Sequence, residues 1–424
     1  MQIQLIIFLV MVIVFALGCF KFKLPVGISM MLAAIAGAIS GGYGIPIRHL
    51  VEGTFGYLDT ILVIATAMIF MKSIQKSGAL DAISALFIEK FHKRPVVLLV
   101  FLTLVVMFPG MITGSTTASV ITAGSLVTPV LIAMGIPMVE TATIIAIAGL
   151  LGMIAPPVNV PVMIIGGGVD MPYSGFGLPL ALMTFPPAIF SSIFLGRKYV
   201  KDFKISDLEG KIDFDLRKDL GIKVYVPIFV LIGLLISVKA IPDIIPNLGL
   251  PLIFLISTCF ALFTGRKINL FKVTKGAIKD AMPVMAILMG VGMFIQIMTL
   301  TGVRGWIVVN CLSLPAILLY VAIAVTIPLF GAVSAYGAAS VLGVPFLLAL
   351  ISKDQIITAA ALSLIASLGD LMPPTALAGL FAAKIVGVEN YIDVLKKCKV
   401  PAMVILSIGI LFIVFSKGIA GVLL

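Results

Sequence analysis

The stretch GLLGMIAPPVNVPVM, residues 149–163, places two adjacent prolines inside a long apolar run, and SLGDLMPPTALAGLF, residues 367–381, does the same in the second half of the chain. Proline has no backbone N–H and its ring clashes with the preceding helical turn, so each pair predicts a break in a helix. Non-helical backbone inside a bilayer is tolerated only where it faces protein or a water-filled cavity. The two pairs therefore predict two broken helices that line one polar site.

Composition sets the class of protein. Of 424 residues, 61% are hydrophobic and 11% are charged, and the mean hydropathy is +1.26. Soluble domains contain about 25% charged residues, and apolar runs long enough to cross a bilayer recur along this chain. The sequence predicts an all-α polytopic membrane protein with about twelve membrane segments, two re-entrant hairpins and broken helices. The four cysteines have no paired spacing and both histidines lie in loops, so no metal cluster is predicted.

The basic residues predict the topology. Positive charge marks cytoplasmic connections, and 23 of the 29 Lys and Arg residues lie in five alternate connections. Both termini are then outside, provided that each hairpin returns to the side from which it started. The net charge of +11 suits an anionic lipid leaflet, so the expected partner is the bilayer and not nucleic acid. The five connections are 20–24, 72–94, 197–223, 265–280 and 389–399.

Two sequence similarities indicate an internal repeat. FMKSIQKSG (70–78) resembles FIQIMTLTG (294–302), and the proline spacing downstream is 27 residues in one half and 28 in the other. Equivalent elements fall on opposite sides of the membrane, which is typical of an inverted-topology repeat. The predicted organisation is a first repeat at 1–196 (hairpin about 95–135, helix break at 156–157), a cytoplasmic linker at 197–223, and a second repeat at 224–424 (hairpin about 315–350, helix break at 373–374).

The breaks suggest two kinds of ligand. Carbonyl groups left without helical partners suit a small hard cation such as Na⁺, whereas the N–H groups of a restarting helix suit a carboxylate. A kinked helix without any ligand is the alternative. Asp370 lies three residues before the second pair, where an ionisable group is expensive and usually functional. It is predicted to bind a cation or carry a proton, unless a basic group across the bundle pairs with it.

The hairpin tips add hydroxyl groups. The first tip, PGMITGSTTASV (109–120), has five Ser and Thr residues beside Gly114, whereas the second, FGAVSAYGAASV (330–341), has fewer. Helix packing is the alternative role for these hydroxyls. Predicted cation-binding residues are Gly114, Ser115, Thr116, Asn159, Ser334, Asp370 and Pro373. Predicted substrate-binding residues are Thr117, Pro156, Pro157, Asn159, Pro374 and Thr375. Na⁺ or H⁺ is the expected coupling ion, and no other cofactor is expected.

The motifs GSTTASVITAGSLVTPVLIAMG, GLLGMIAPPVNVPVMIIGG and MPPTALAGLFAAKIVGV resemble the large membrane subunit of the tripartite ATP-independent periplasmic (TRAP) transporters, in the ion-transporter superfamily. The likeness covers nearly the whole chain. It implies Na⁺ sites near the hairpin tips, an elevator-type movement, organic acids as substrates and a location in the cytoplasmic membrane of a prokaryote. It also implies two partners, a small membrane subunit and a periplasmic substrate-binding protein. By resemblance, the family's binding motifs include Ser115, Thr116, Pro156, Pro157, Asn159, Pro373, Pro374 and Thr375.

Departures from the family pattern imply a divergent member. Val158 and Asn159 follow the first pair where the family usually has Ser, and Asp370 lies in a segment where the family often has Gly-x-x-Thr. The family's acidic residue in the second hairpin is missing. Within this superfamily, the alternative is a stand-alone carboxylate/cation symporter that needs no binding protein.

Other classes of protein fit less well. An enzyme within the membrane would need a catalytic dyad or metal ligands, and the chain has no HExxH motif and no intramembrane His. A channel would have a polar stripe along several helices, and an ATP-driven pump would need a phosphate-binding loop. The sequence thus predicts a secondary transporter for a small organic anion, and not an enzyme.

Overall fold

A computed structural model of the chain describes residues 2–200, 220–241, 246 and 248–424. These residues form helices and connections, without a strand in the described ranges. Most of the linker predicted at 197–223 lies outside the described residues. In the first half the helices are α1 Gln2–Phe20, α2 Val26–Ser40, α3 Ile47–Phe55, α4 Leu58–Ser77, α5 Ala79–Phe91, α6 Pro95–Thr113, α7 Thr116–Ser119, α8 Ser125–Ala133, α9 Met138–Ile154, α10 Val160–Gly167 and α11 Gly177–Gly196.

The second half continues with the same kinds of helix. They are α12 Val226–Ala240, α13 Gly249–Ala261, α14 Leu270–Leu300, α15 Val303–Leu312, α16 Ala316–Gly331, α17 Ala335–Ala338, α18 Val344–Ala349, α19 Gln355–Ser367, α20 Leu377–Val386, α21 Tyr391–Lys397, α22 Lys399–Val414 and α23 Ser416–Leu423. Six helices in the described residues are long and apolar enough to cross a membrane, or seven if the bent pair α21–α22 is one span. The all-α class is confirmed, and the count of about twelve membrane segments stays a prediction.

Both proline pairs separate two helices. α9 ends at Ile154 and α10 begins at Val160, while α19 ends in a 3₁₀ turn at Leu368–Leu371 and α20 begins at Leu377. Both Pro–Pro bonds are cis. The missing backbone donors therefore interrupt the chain at the two positions that the sequence indicates.

The two hairpins are built alike. In each, a long helix with one proline in its interior ends before a serine that caps a four-residue helix, and a five-residue π segment follows. The first arm of each hairpin also crosses its broken helix at two glycines: an added Cβ on Gly110 would lie 2.8 Å from Gly152, and one on Gly331 would lie 2.9 Å from Gly369. The two halves share these features, and the inverted repeat stays a prediction.

The helices pack into two groups. The frame group comprises α1–α4 and α12–α14, and the site group comprises α6–α11 and α16–α23, with α5 and α15 between them. The long helix α14 crosses α3 closely, since an added Cβ on Gly53 would lie 2.7 Å from the Gly292 carbonyl oxygen. An ion pair between Lys72 and Asp280 further joins α4 to α14. The hairpin tips and both proline breaks lie in the site group.

Candidate functional site

The tip of the first hairpin has a geometry that its sequence explains. Gly114 ends α6 with a φ of 63°, a left-handed conformation that glycine adopts without steric cost. Ser115 then caps α7, because its hydroxyl accepts a hydrogen bond from the Ala118 amide at 3.3 Å, as serine commonly does at this position. The turn directs Thr116 into the protein, where its side chain is buried.

Thr116 and Asp370 join the two halves of the chain at the centre of the site. The Thr116 hydroxyl donates a hydrogen bond to Asp370 Oδ2 at 2.6 Å, across 254 positions of sequence. Its oxygen also lies 3.3 Å from the sulfur of Met153, the residue that the proline registration aligns with Asp370. Asp370 is only 5% exposed, and no Lys or Arg in the described ranges forms an ion pair with it. A carboxylate and a hydroxyl oxygen therefore converge without a fixed positive charge.

A second contact joins the two hairpin tips. The Tyr336 hydroxyl, in α17, donates a hydrogen bond to the Gly114 carbonyl oxygen at 2.6 Å. Ser334 holds α17 in place by accepting a hydrogen bond from the Gly337 amide at 3.2 Å. Each hairpin tip thus contributes one of these two contacts between the halves.

The first proline break is satisfied within the protein. Asn159 is fully buried; its Nδ2 donates to the Ile154 carbonyl and to the Ser363 hydroxyl, both at 2.9 Å. Its Oδ1 accepts from the Val162 amide at 2.9 Å. The Tyr173 hydroxyl donates to the Pro157 carbonyl at 3.0 Å. Asn159 therefore caps α10 and provides a partner for a carbonyl that the break leaves free.

The second break has fewer internal partners. The Thr375 hydroxyl donates to the Ala332 carbonyl at 2.6 Å, a contact that corresponds to the bond from the Val158 amide to the Met111 carbonyl in the first half. Ala376 precedes α20 with a φ of 39°, and no side chain caps this helix. The first turn of α20 is consequently a helix start with unsatisfied N–H groups, which attracts negative charge.

Apart from Asn159 and Thr375, whose contacts are given above, the predicted site residues fall into three sets. Gly114, Thr116 and Asp370 lie together. The serines Ser115 and Ser334 cap the tip helices. Thr117, Pro156 and Pro157 are half-buried, while Pro373 and Pro374 are exposed. The bridging contacts of Tyr173 and Ser363 were not foreseen, and nothing in the sequence around these two residues signals them.

Comparison with known proteins identifies the family. The model of the family described as "Tripartite ATP-independent periplasmic transporter, DctM component" matches residues 5–419. The fold is similar to the crystal structure of the YdaH transporter of Alcanivorax borkumensis, with a TM-score of 0.60, 14% identity and 88% of each chain covered. No curated protein matches this chain. Because the family model spans nearly the whole sequence, the chain belongs to the DctM component family of the tripartite ATP-independent periplasmic transporters.

Proposed function

We propose that this chain is the large subunit of a TRAP-type transporter that uses an ion gradient to import a small organic anion across the cytoplasmic membrane of a prokaryote. The observation that carries the proposal is the buried contact between Thr116 and Asp370. Ionisable groups at membrane depth mark ion or substrate paths in transporters. Na⁺ or H⁺ is the coupling ion, bound where the carboxylate and the hydroxyl converge.

The substrate is bound next to the cation. The uncapped start of α20 follows the break at Pro373 and Pro374 in the chain, and N–H groups at a helix start attract a carboxylate. Thr375 and Thr117 supply hydroxyl groups near the two breaks. A small organic anion is therefore the class of substrate that this site favours.

Movement of the site group against the frame group carries the ligands across the membrane in an elevator-type cycle. The frame is held together by close glycine crossings and by the ion pair of Lys72. The connecting helices α5 and α15 each follow a glycine in the left-handed conformation, Gly78 or Gly302. Such a residue absorbs backbone rotation at the ends of a helix.

A reconstituted transport assay tests the proposal. We expect uptake of a small organic anion into proteoliposomes to depend on a Na⁺ or H⁺ gradient, and Asp370→Asn to reduce it at least about tenfold. Asp393→Asn is the matched control, because Asp393 pairs with Lys396 on an exposed helix. Unaltered uptake with an unaltered ion requirement in Asp370→Asn would contradict the proposed site.

The same assay distinguishes the two kinds of transporter. A tripartite system requires the small membrane subunit and the substrate-binding protein for uptake. Uptake by this chain alone, at the rate of the complete system, would favour the stand-alone carboxylate/cation symporter instead.

A further inference from the structure

The end of α10 is held by two side chains from outside the site group. The buried Tyr57, between α3 and α4, donates a hydrogen bond from its hydroxyl to the Ile164 carbonyl at 2.9 Å. Arg304, in the first turn of α15, donates from its guanidinium to the Gly168 carbonyl at 2.5 Å. The Gly168 carbonyl lies at the C-cap of α10, where helix carbonyls carry partial negative charge. The Ile164 carbonyl also accepts from the Gly168 amide at 3.0 Å, and its second lone pair accepts from Tyr57.

Small residues let these donors approach. An added Cβ on Gly167 would lie 2.8 Å from the Tyr57 ring, which means that the ring packs directly on the helix end. α10 itself has eight residues, about 12 Å of helix, and its N-cap is Asn159, beside the first proline break. The helix therefore connects the site at one end with Tyr57 and Arg304 at the other.

A polar cleft of about 440 Å³ lies at the opposite end of the boundary between the frame group and the site group. It is formed by the end of α4, the start of α5 and the second arm of the first hairpin. Its lining includes Lys76, Thr122 and Ser125. Charge placement puts Lys76 on the cytoplasmic side and Arg304 on the outer side. Hydrogen bonds thus tie α10 to Tyr57 and Arg304 at the outer face, whereas a cleft lies between α4, α5 and the first hairpin at the cytoplasmic face.

We propose that Tyr57 and Arg304 form an outer latch, a pair of positioning residues that hold α10, and with it the site group, in the state open to the cytoplasm. The proposal rests on the proposed transport function, since a latch matters only if the groups move. In the opposite state both hydrogen bonds break. The latch residues thereby set the balance between the two states without touching the substrate or the coupling ion.

Thiol labelling in the cleft tests the latch. Ser125→Cys is introduced into a variant whose four native cysteines are replaced by alanine, and inside-out vesicles are treated with a membrane-impermeant maleimide. We expect Arg304→Gln and Tyr57→Phe to slow labelling roughly five- to tenfold, the usual range of one conformational coupling. Arg304→Lys keeps the charge and restores at least half of the rate.

The control variant is Arg48→Gln, because Arg48 lies on the same face, is highly exposed and pairs with Glu52 and not with α10. Equal labelling rates in Arg48→Gln, Arg304→Gln and Tyr57→Phe would overturn the latch. The measurement uses no substrate, so its failure is separate from that of the proposed function. If Asp370→Asn leaves ion-coupled uptake intact while labelling slows as expected, the proposed site is wrong and the latch is supported.

Discussion

The two proline breaks have the same backbone plan and different chemistry. At the first break, the side chains of Asn159 and Tyr173 form hydrogen bonds with the backbone groups that the break leaves without helical partners. At the second, α20 starts without a side-chain cap, and Asp370 stands where the first half has Met153. Buried polar groups that are fully satisfied mainly stabilise a structure, whereas an unpaired buried carboxylate is a costly feature that function commonly explains. We therefore expect the first break to have a mainly structural role and ligand binding to be concentrated at the second.

The largest effect is expected when the second break is made like the first. Asp370→Met introduces the residue found at the aligned position of the first half, and we expect ion-coupled uptake to fall about a hundredfold or more. Stability should not fall, because replacing a buried charge by an apolar residue is often neutral or stabilising. Uptake in proteoliposomes and thermal unfolding in detergent measure the two quantities.

Met153→Leu is the control for this substitution, since it keeps an apolar side chain of similar volume in the first half. It should leave both quantities close to those of the unmodified protein. If Asp370→Met retained coupled uptake, the carboxylate of Asp370 would not give the second break a role in ion coupling that the first break lacks.

The next effect concerns stability at the first break. Asn159→Ala leaves the Ile154 carbonyl and the Val162 amide without their side-chain partner, and we expect a loss of about 2–4 kcal/mol in the free energy of unfolding. Asn390→Ala removes a cap of the same type at an exposed helix, where Asn390 accepts from the Ile392 amide at 3.1 Å. That control should cost only about 1 kcal/mol. Equal losses in the two variants, measured by reversible unfolding in mixed micelles, would argue against a structural role specific to the first break.

A smaller effect is expected where the hairpin tips meet. Tyr336→Phe removes the hydrogen bond to the Gly114 carbonyl, whose net contribution to binding we take as about 1 kcal/mol. We therefore expect the half-saturating concentration of the coupling ion to rise roughly fivefold. Ion titration of uptake measures this concentration. Tyr320→Phe is the control, because no hydrogen bond of the Tyr320 hydroxyl is found in the described part of the chain. An unchanged titration in Tyr336→Phe would mean that the two tips do not cooperate in binding the ion.

The local features of the site followed from the sequence because they depend on neighbouring residues. Each proline pair interrupts its helix through the donors that it lacks, and the small residues at Gly114 and Ser115 make the hairpin tip. The cap at Asn159 was also readable in principle, since Asn followed by a proline within the first helical turn is a common helix start. The role of Asn159 as a ligand stays a prediction beside this cap.

The contacts between the halves could not be foreseen in the same way. Thr116 meets Asp370 across 254 positions and Tyr336 meets Gly114 across 222. Sequence spacing predicts which face of a helix a residue occupies, and it carries no information on which distant helix packs against that face. The partners of Asp370, Tyr173 and Ser363 are therefore properties of the tertiary packing alone.

The smallest effect concerns the far end of α9, the helix that leads to the first break. Glu140 in its first turn pairs with Lys397 of the second half at 2.8 Å, and the hydrogen bond to this carboxylate holds the pKa of Lys397 above its ordinary value. A raised lysine pKa means that the stabilisation is fully present below the ordinary lysine pKa and is lost as pH rises through the raised value. Because Lys397 is about half exposed, we expect Lys397→Gln to lower the free energy of unfolding by at most about 1 kcal/mol near neutral pH.

Unfolding in detergent should show this difference from the unmodified protein at pH 7 and not in strongly alkaline solution. A difference that persisted in strong alkali would mean that packing of the lysine stem, and not its charge, anchors α9 to the second half.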